Sequence, residues 1–188
     1  MTEITRAHAE WAVVDRLRAM LNETPHAEYN VTQSYGLCVA ILAWVMQRVR
    51  TPEGQAKSPE AWAAKSVKST LDTQNVEALP WGLKTGGSGS VNGDFMGFTA
   101  FKFLKWLRDA SCHGDARKVF PENKHGKLIG FRFQMKSDSD QKVRSLVLME
   151  VDLRRIGSAL ADMYCKALGG SESFVADARS MSEERIAA

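Results

Sequence analysis

The chain is poor in patterned cysteine. Its 188 residues hold three, and Cys38, Cys112 and Cys165 stand in no CxxC or Cys/His metal spacing. Two of them fall in apolar helical segments, where a free thiol behaves as a small hydrophobe, and this points to a reducing compartment. Long apolar runs are missing as well: the longest uncharged one, Tyr35 to Met46, is too short to span a bilayer. The opening MTEITRAHAEW has no basic segment leading into a long apolar run, so the expectation is a soluble cytoplasmic protein. Charge of one sign is in short supply. A net charge of +3 and a pI near 8.8 are compatible with a polyanionic partner but far from the composition of a nucleic-acid coat. GGSGSVNG lacks the Lys-Ser/Thr ending of a phosphate-binding P-loop and follows no clear strand. His8 and His26 have no partner at a catalytic or metal spacing and read as surface histidines.

What is present is a hydrophobic content of 44%, enough for one domain with a substantial core. From about Thr5 to Leu21, a stripe of Trp11, Val13, Val14, Leu17, Met20 and Leu21 predicts an amphipathic helix. A second helix, about Gln33 to Val49, has almost no polar face before Gln47, Arg48 and Arg50. It belongs at the centre of the fold, with Trp44 in the core. Ser58, Pro59 and Glu60 start a third, with Trp62, Ala63, Val67 and Leu71 inward and Lys65 and Lys68 outward. ALPWGLKTGGSGSVNGD then reads as a loop too flexible for the core, either a plain connection or an arm over a cleft. Further on, LIGFRFQMK alternates with a period of two, and Val143 to Val151 follows a polar bridge; together they predict an antiparallel hairpin lying on the helices. Asp152 caps a last helix that Gly169 and Gly170 end. For the remaining residues, docking through Phe174 and Val175 and plain disorder are both open.

The stretch with chemical character is Phe95 to Gly114, FMGFTAFKFLKWLRDASCHG. Read as a helix, it puts Phe103, Leu104, Trp106, Leu107 and Ala110 on one broad arc and Lys102, Lys105 and Asp109 on a narrow polar strip. Arg108 and His113 would diverge by about 140° on a continuous helix, so they converge only if the helix ends between them. Gly114 suits that ending, and Asp115 and Pro121 beyond it favour loop. A plain account exists for the pair, since Arg and His near a helix C-terminus complement its dipole and bond its last carbonyls. The spacing itself arises by chance about once in a chain of this composition.

With its Arg-Asp-x-x-x-His-Gly sequence closing a buried aromatic helix, and Arg117 and Lys118 just beyond, the chain resembles the HEPN superfamily of small helical bundles. In that family an Arg-x(4 to 6)-His motif, commonly with a polar residue after the arginine, ends the third helix; Arg108, Asp109 and His113 match it. The chain looks most like a plasmid-borne branch with a strand insertion. The resemblance implies an up-and-down helical bundle, and the strands and the Gly/Ser loop depart from a minimal all-helical HEPN domain; with the hairpin read above, the expected fold is mainly α with a β-hairpin inserted before the last helix. Residues 1–169 would form that domain, with a flexible Gly/Ser loop about 84–94, the hairpin about 127–151, and a tail at 170–188. It also implies a metal-independent RNase without cofactor, active as a homodimer and found in toxin–antitoxin and anti-phage systems, so RNA, a second copy and an antitoxin are the expected partners.

The residue chemistry fits phosphoryl transfer. Histidine exchanges protons near neutral pH, and arginine offers a permanently charged planar fork for phosphate oxygens. In RNA the 2′-OH supplies the nucleophile, so His113 would act as general base or acid, Arg108 would bind the scissile phosphate, and Asp109 would orient one of them or hold the helix end. Lys102, Lys105, Arg117 and Lys118 would steer the RNA backbone. A rival reading keeps the fold without catalysis: a dimerising module that binds RNA, a nucleotide or a partner protein through the same basic cleft. A purely structural partner-binding bundle is the third.

Overall fold

The computed structural model describes residues 9–23, 28–50, 59–77, 80–81, 95, 97–112, 117–137 and 141–169. Among these the chain runs through α1 (Ala9–Asn22), α2 (Asn30–Val49), α3 (Pro59–Thr73), α4 (Ala100–Ser111), β1 (Val119–Lys124), β2 (Lys127–Lys136), β3 (Val143–Met149) and α5 (Glu150–Gly169). The fold is mostly helical, with a three-stranded antiparallel sheet inserted before the last helix. The expected Gly/Ser loop about 84–94 and the tail 170–188 lie outside the described residues, as do His113, Gly114 and Asp115.

Helix α2 is the axis of the core and packs on α1, α3, α4 and α5. Its buried positions, among them Cys38, Ile41, Leu42, Val45 and Val49, recur at helical spacing and occupy about half the circumference. Trp44 falls outside that half and is 42% exposed, which corrects its expected core position. Trp62 at 48% and Met20 at 46% exposed are corrected in the same way: Ala63, Ala64, Val67 and Leu71 carry the inward face of α3, and Ala12, Val14 and Leu21 that of α1. Much of a folded protein's surface is apolar, so a hydrophobic side chain outside the buried stripe need not be covered.

The motif helix is shorter than its sequence pattern. It begins at Ala100, where the Thr99 side chain accepts a hydrogen bond from the Lys102 N–H at 3.3 Å as an N-cap. Two residues earlier Gly97 holds φ +79°, a left-handed turn that a helix cannot contain. Phe95 and Phe98 therefore belong to the approach, pinned where the Val76 N–H donates to the Phe98 carbonyl at 3.2 Å and the Ala100 N–H to that of Gln74 at 2.9 Å. Trp81, assigned by its surroundings to a flexible loop, is instead fully buried, its indole N–H donating to Gln74 Oε1 at 2.7 Å. A tryptophan buried with its N–H satisfied is a strong local anchor.

The expected hairpin is present as β2 and β3, in a register from Gly130↔Met149 to Lys136↔Val143. A third strand, β1, joins it at the edge, and this corrects the reading of Pro121 as loop. Proline lacks the N–H that a central strand needs, but an edge strand tolerates it. The turn from β1 to β2 is His125-Gly126, with φ 51° and 75°, a two-residue hairpin turn with both residues left-handed. Phe133, Leu146 and Leu148 are buried beneath the sheet, and Tyr35 of α2 meets Phe131 with ring centroids 4.3 Å apart. In α5 the helix starts two residues before Asp152. This aspartate is the third helical residue rather than the cap, and its carboxylate reaches back to the Met149 N–H at 3.1 Å.

Candidate functional site

Helix α4 carries a full apolar load on a short span: Phe103, Leu104, Leu107 and Ala110 are buried, so its orientation is fixed by the core. Each such large side chain contributes roughly 1.5–3 kcal/mol of burial. Its last turn is closed by Ser111, whose hydroxyl donates to the Leu107 carbonyl at 2.7 Å, and by the Cys112 N–H, which donates to the Arg108 carbonyl at 2.9 Å. The helix thus ends at Ser111 with Cys112 as C-cap, three residues ahead of Gly114. Cys112 Sγ packs toward the Val39 carbonyl of α2 at 4.0 Å. Burial pushes the Cys112 thiol up; the Ser111 hydrogen bond and the Arg108 charge oppose this without cancelling it.

Asp109 was expected on the polar strip, yet only 9% of the residue is exposed. It is buried under cations. Arg108 Nη1 donates to its Oδ1 at 2.9 Å, Arg50 Nη1 to the same oxygen at 3.2 Å, and Lys105 Nζ to Oδ2 at 3.0 Å. Burial alone would raise this carboxyl, but the hydrogen bonds of Arg108 and Lys105 and the charges of Lys105 and Arg50 outweigh it and hold Asp109 below the ordinary carboxylate value. It is an ionised anchor at every physiological pH and no proton acceptor. Among the described residues, three cations gather on this one carboxylate at the end of α4.

Arg108 spans two helices. Its Nη1 binds Asp109, its Nη2 donates to Gln47 Oε1 of α2 at 3.1 Å, and its Nε is buried with no hydrogen-bond partner among the described residues. The side chain is only 17% exposed, and its two partners hold the guanidinium in one orientation.

The structure therefore brings together Arg108, Asp109 and Lys105, and adds Gln47 and Arg50. The last two were visible in the sequence only as the polar end of an otherwise apolar helix. Lys102 lies on the same face of α4, and with Lys105, Asp109, Phe98, Trp106 and Met135 it borders a groove of about 250 Å³. Arg117 and Lys118 sit at the head of β1, where the Lys118 carbonyl accepts from the Gln134 N–H at 2.8 Å. His113 follows Cys112 in sequence and lies outside the described residues. Among the described residues no three His, Cys, Asp or Glu side chains gather within reach of a metal ion, and no helix is long and apolar enough to cross a membrane.

No protein-family model, curated protein or solved structure matches the chain.

Proposed function

We propose that the protein is a metal-independent endoribonuclease of HEPN type, acting as a homodimer and belonging with toxin or anti-phage systems. The observation that carries this reading is the Arg108 guanidinium, fixed at the end of α4 by the ionised Asp109 and by Gln47, with Arg50 and Lys105 on the same carboxylate. A pentacoordinate phosphorane gathers negative charge on its equatorial oxygens, and a preorganised guanidinium stabilises that charge without reorganising. Asp109 holds the arginine; its depressed pKa leaves the proton transfers to His113, next in sequence to the helix C-cap and the motif's one imidazole. The 2′-OH of the substrate attacks the adjacent phosphorus, the 5′ oxygen leaves, and a 2′,3′-cyclic phosphate results.

One observation favours a second reading. Arg108 already satisfies Asp109 and Gln47, so the same residues clasp α2 to α4 in a non-catalytic module that binds RNA, a nucleotide or an antitoxin partner. The two readings separate in one experiment. Parent, Arg108→Ala and His113→Ala proteins are incubated with end-labelled RNA in excess EDTA, and the new 3′ ends are analysed. The RNase reading expects cyclic-phosphate ends from the parent, with losses of about 10²–10⁴ in each variant. RNA that stays bound but intact supports the module, and a His113→Ala protein as fast as the parent removes His113 from the scheme.

A further inference from the structure

We propose that the groove between α4 and β2 is a binding subsite for one nucleotide of single-stranded RNA, its base lying on Phe98 and Met135 and its phosphate on Lys102 and Lys105. The proposal rests on the ribonuclease reading and places the substrate next to Arg108. Three features of the groove agree on this occupant.

Its volume of about 250 Å³ is below the usual range of ~300–1,000 Å³ for small-molecule pockets. That suits one planar ring system with a sugar attached. Its floor is aromatic and held in place. Phe98 is half-buried, Phe95 packs edge-on against it with centroids 5.5 Å apart, and the Arg144 guanidinium lies over one face of its ring, 4.6 Å from the centre, which leaves the other face for a base. Trp106 is tied to the sheet by its indole N–H, which donates to the Met135 carbonyl at 3.4 Å. A base that stacks on a fixed ring gains its contact without ordering the protein first.

The rim carries the matching charge. Lys102 and Lys105 stand one turn apart on α4, and the carboxylate among the described lining residues, Asp109, is engaged by Lys105, Arg50 and Arg108. A polyanion entering the groove therefore meets no uncompensated negative charge from Asp109. From Lys102 to Asp109 the helix rises about 10 Å, and at that end of the groove Asp109 holds the Arg108 guanidinium at 2.9 Å. A partner of acidic peptide character would use the lysines and leave the aromatic floor idle. An apolar ligand would make no use of Lys102. A nucleotide uses both.

The test is anisotropy binding, in EDTA, of a short 5′-labelled RNA with 2′-deoxy substitutions that block cleavage, alongside cleavage of the all-ribose strand. The proteins are the parent, Phe98→Leu, Lys102→Glu and Arg108→Ala, each checked for folding by circular dichroism. Phe98→Leu is expected to weaken binding about tenfold, the range of one base stack, and Lys102→Glu several-fold with a shallower salt dependence. Cleavage by these two should suffer in KM rather than kcat. If the parent binds and cleaves while both groove variants match it, the subsite is wrong and the ribonuclease reading stands. If the parent neither binds nor cleaves, both fall together. Should Phe98→Leu fail to fold, the exposed Lys102→Glu decides alone, and parental affinity in that variant overturns the subsite.

Discussion

Replacing Asp109 by asparagine removes one charge and almost no volume, and the structure sets what that costs. The carboxylate takes Arg108 at 2.9 Å, Lys105 at 3.0 Å and Arg50 at 3.2 Å, with its own side chain 13% exposed. A hydrogen bond to a charged group contributes roughly 1.5–3 kcal/mol when buried. Arg108, 17% exposed, counts near that value. Arg50 and Lys105 are 36% and 31% exposed, so water and salt recover most of their loss, and each counts at the surface value of ~0.2–1 kcal/mol. The amide returns one acceptor oxygen, which leaves a net cost of about 2–3 kcal/mol. In a chain of this size that lowers Tm by about 5–10 °C. The pH dependence fixes the origin. The folded pKa of Asp109 lies below its ordinary value of 3.8, so its stabilisation is fully present above the unfolded value and is lost as pH falls through the folded one. Melting followed by circular dichroism should show a constant gap between parent and variant from neutral pH down to about pH 5, closing in stronger acid. In a double-mutant cycle, Arg108→Gln with Asp109→Asn should be milder than the sum of the singles by about 1–2 kcal/mol. A neutral-pH Tm within about 2 °C of the parent, or additive singles, refutes the cluster as described.

Two glycines should respond differently to alanine. At Gly130 a Cβ would collide with the Leu148 carbonyl of the paired strand and sit 3.0 Å from Met149 Cα, both backbone, so Gly130→Ala should cost about 2 kcal/mol or more in urea unfolding. At Gly157 the closest atom is the Leu21 Cδ2 methyl at 2.7 Å, a side chain that can turn, and alanine gains about 1 kcal/mol of helix propensity; the net change should stay within about 1 kcal/mol. A Gly157→Ala loss larger than that of Gly130→Ala contradicts both accounts. Burial pushes the Cys38 thiol up to about 12 and that of Cys165 up to about 11, so in native protein at pH 8 both should resist iodoacetamide while denatured protein is alkylated fully, as read by mass spectrometry. Rapid native labelling of Cys38 would show that α2 opens far more readily than its packing implies.

The helices were legible because their apolar positions recur at 3.6 residues, and the β2–β3 hairpin because Phe131, Phe133 and Met135 alternate at two. The misses have local causes. Trp44, Trp62 and Met20 are hydrophobic residues on the margins of stripes, and a sequence does not show which margins the folded chain covers. The start of α4 was read too early because the aromatic pattern continues through Phe95 and Phe98, although Gly97 and Thr99 hold the turn and cap signals. Strand β1 was hidden by Pro121, a loop signal that an edge position neutralises, while the His125-Gly126 turn stood in for the more familiar Asn-Gly. Within the candidate site, Arg108, Asp109 and Lys105 were legible as neighbours on one helix. Gln47 and Arg50 were not, because they lie about sixty residues away and meet the motif only through the packing of α2 on α4.

That packing also bears on why the cluster exists. Stability alone is a poor reason to bring three cations and one carboxylate to a helix end in the core's shadow, since desolvating charged groups costs nearly as much as their pairing returns, and apolar residues of similar size often do better. Here Arg50, Lys105 and Arg108 all reach the carboxylate of Asp109, and Arg108 Nε stays buried without a partner among the described residues. Positive charge held rigidly is what an anionic ligand needs, because the ligand then completes a network that is already oriented. Binding should accordingly raise stability more in the parent than in Asp109→Asn. In the parent, phosphodiester binding meets a fixed guanidinium; in the variant it must first order one. A short non-cleavable RNA at saturating concentration should lift the parent Tm measurably and lift that of Asp109→Asn less. An equal lift in both would mean that the carboxylate holds the helices together and nothing else.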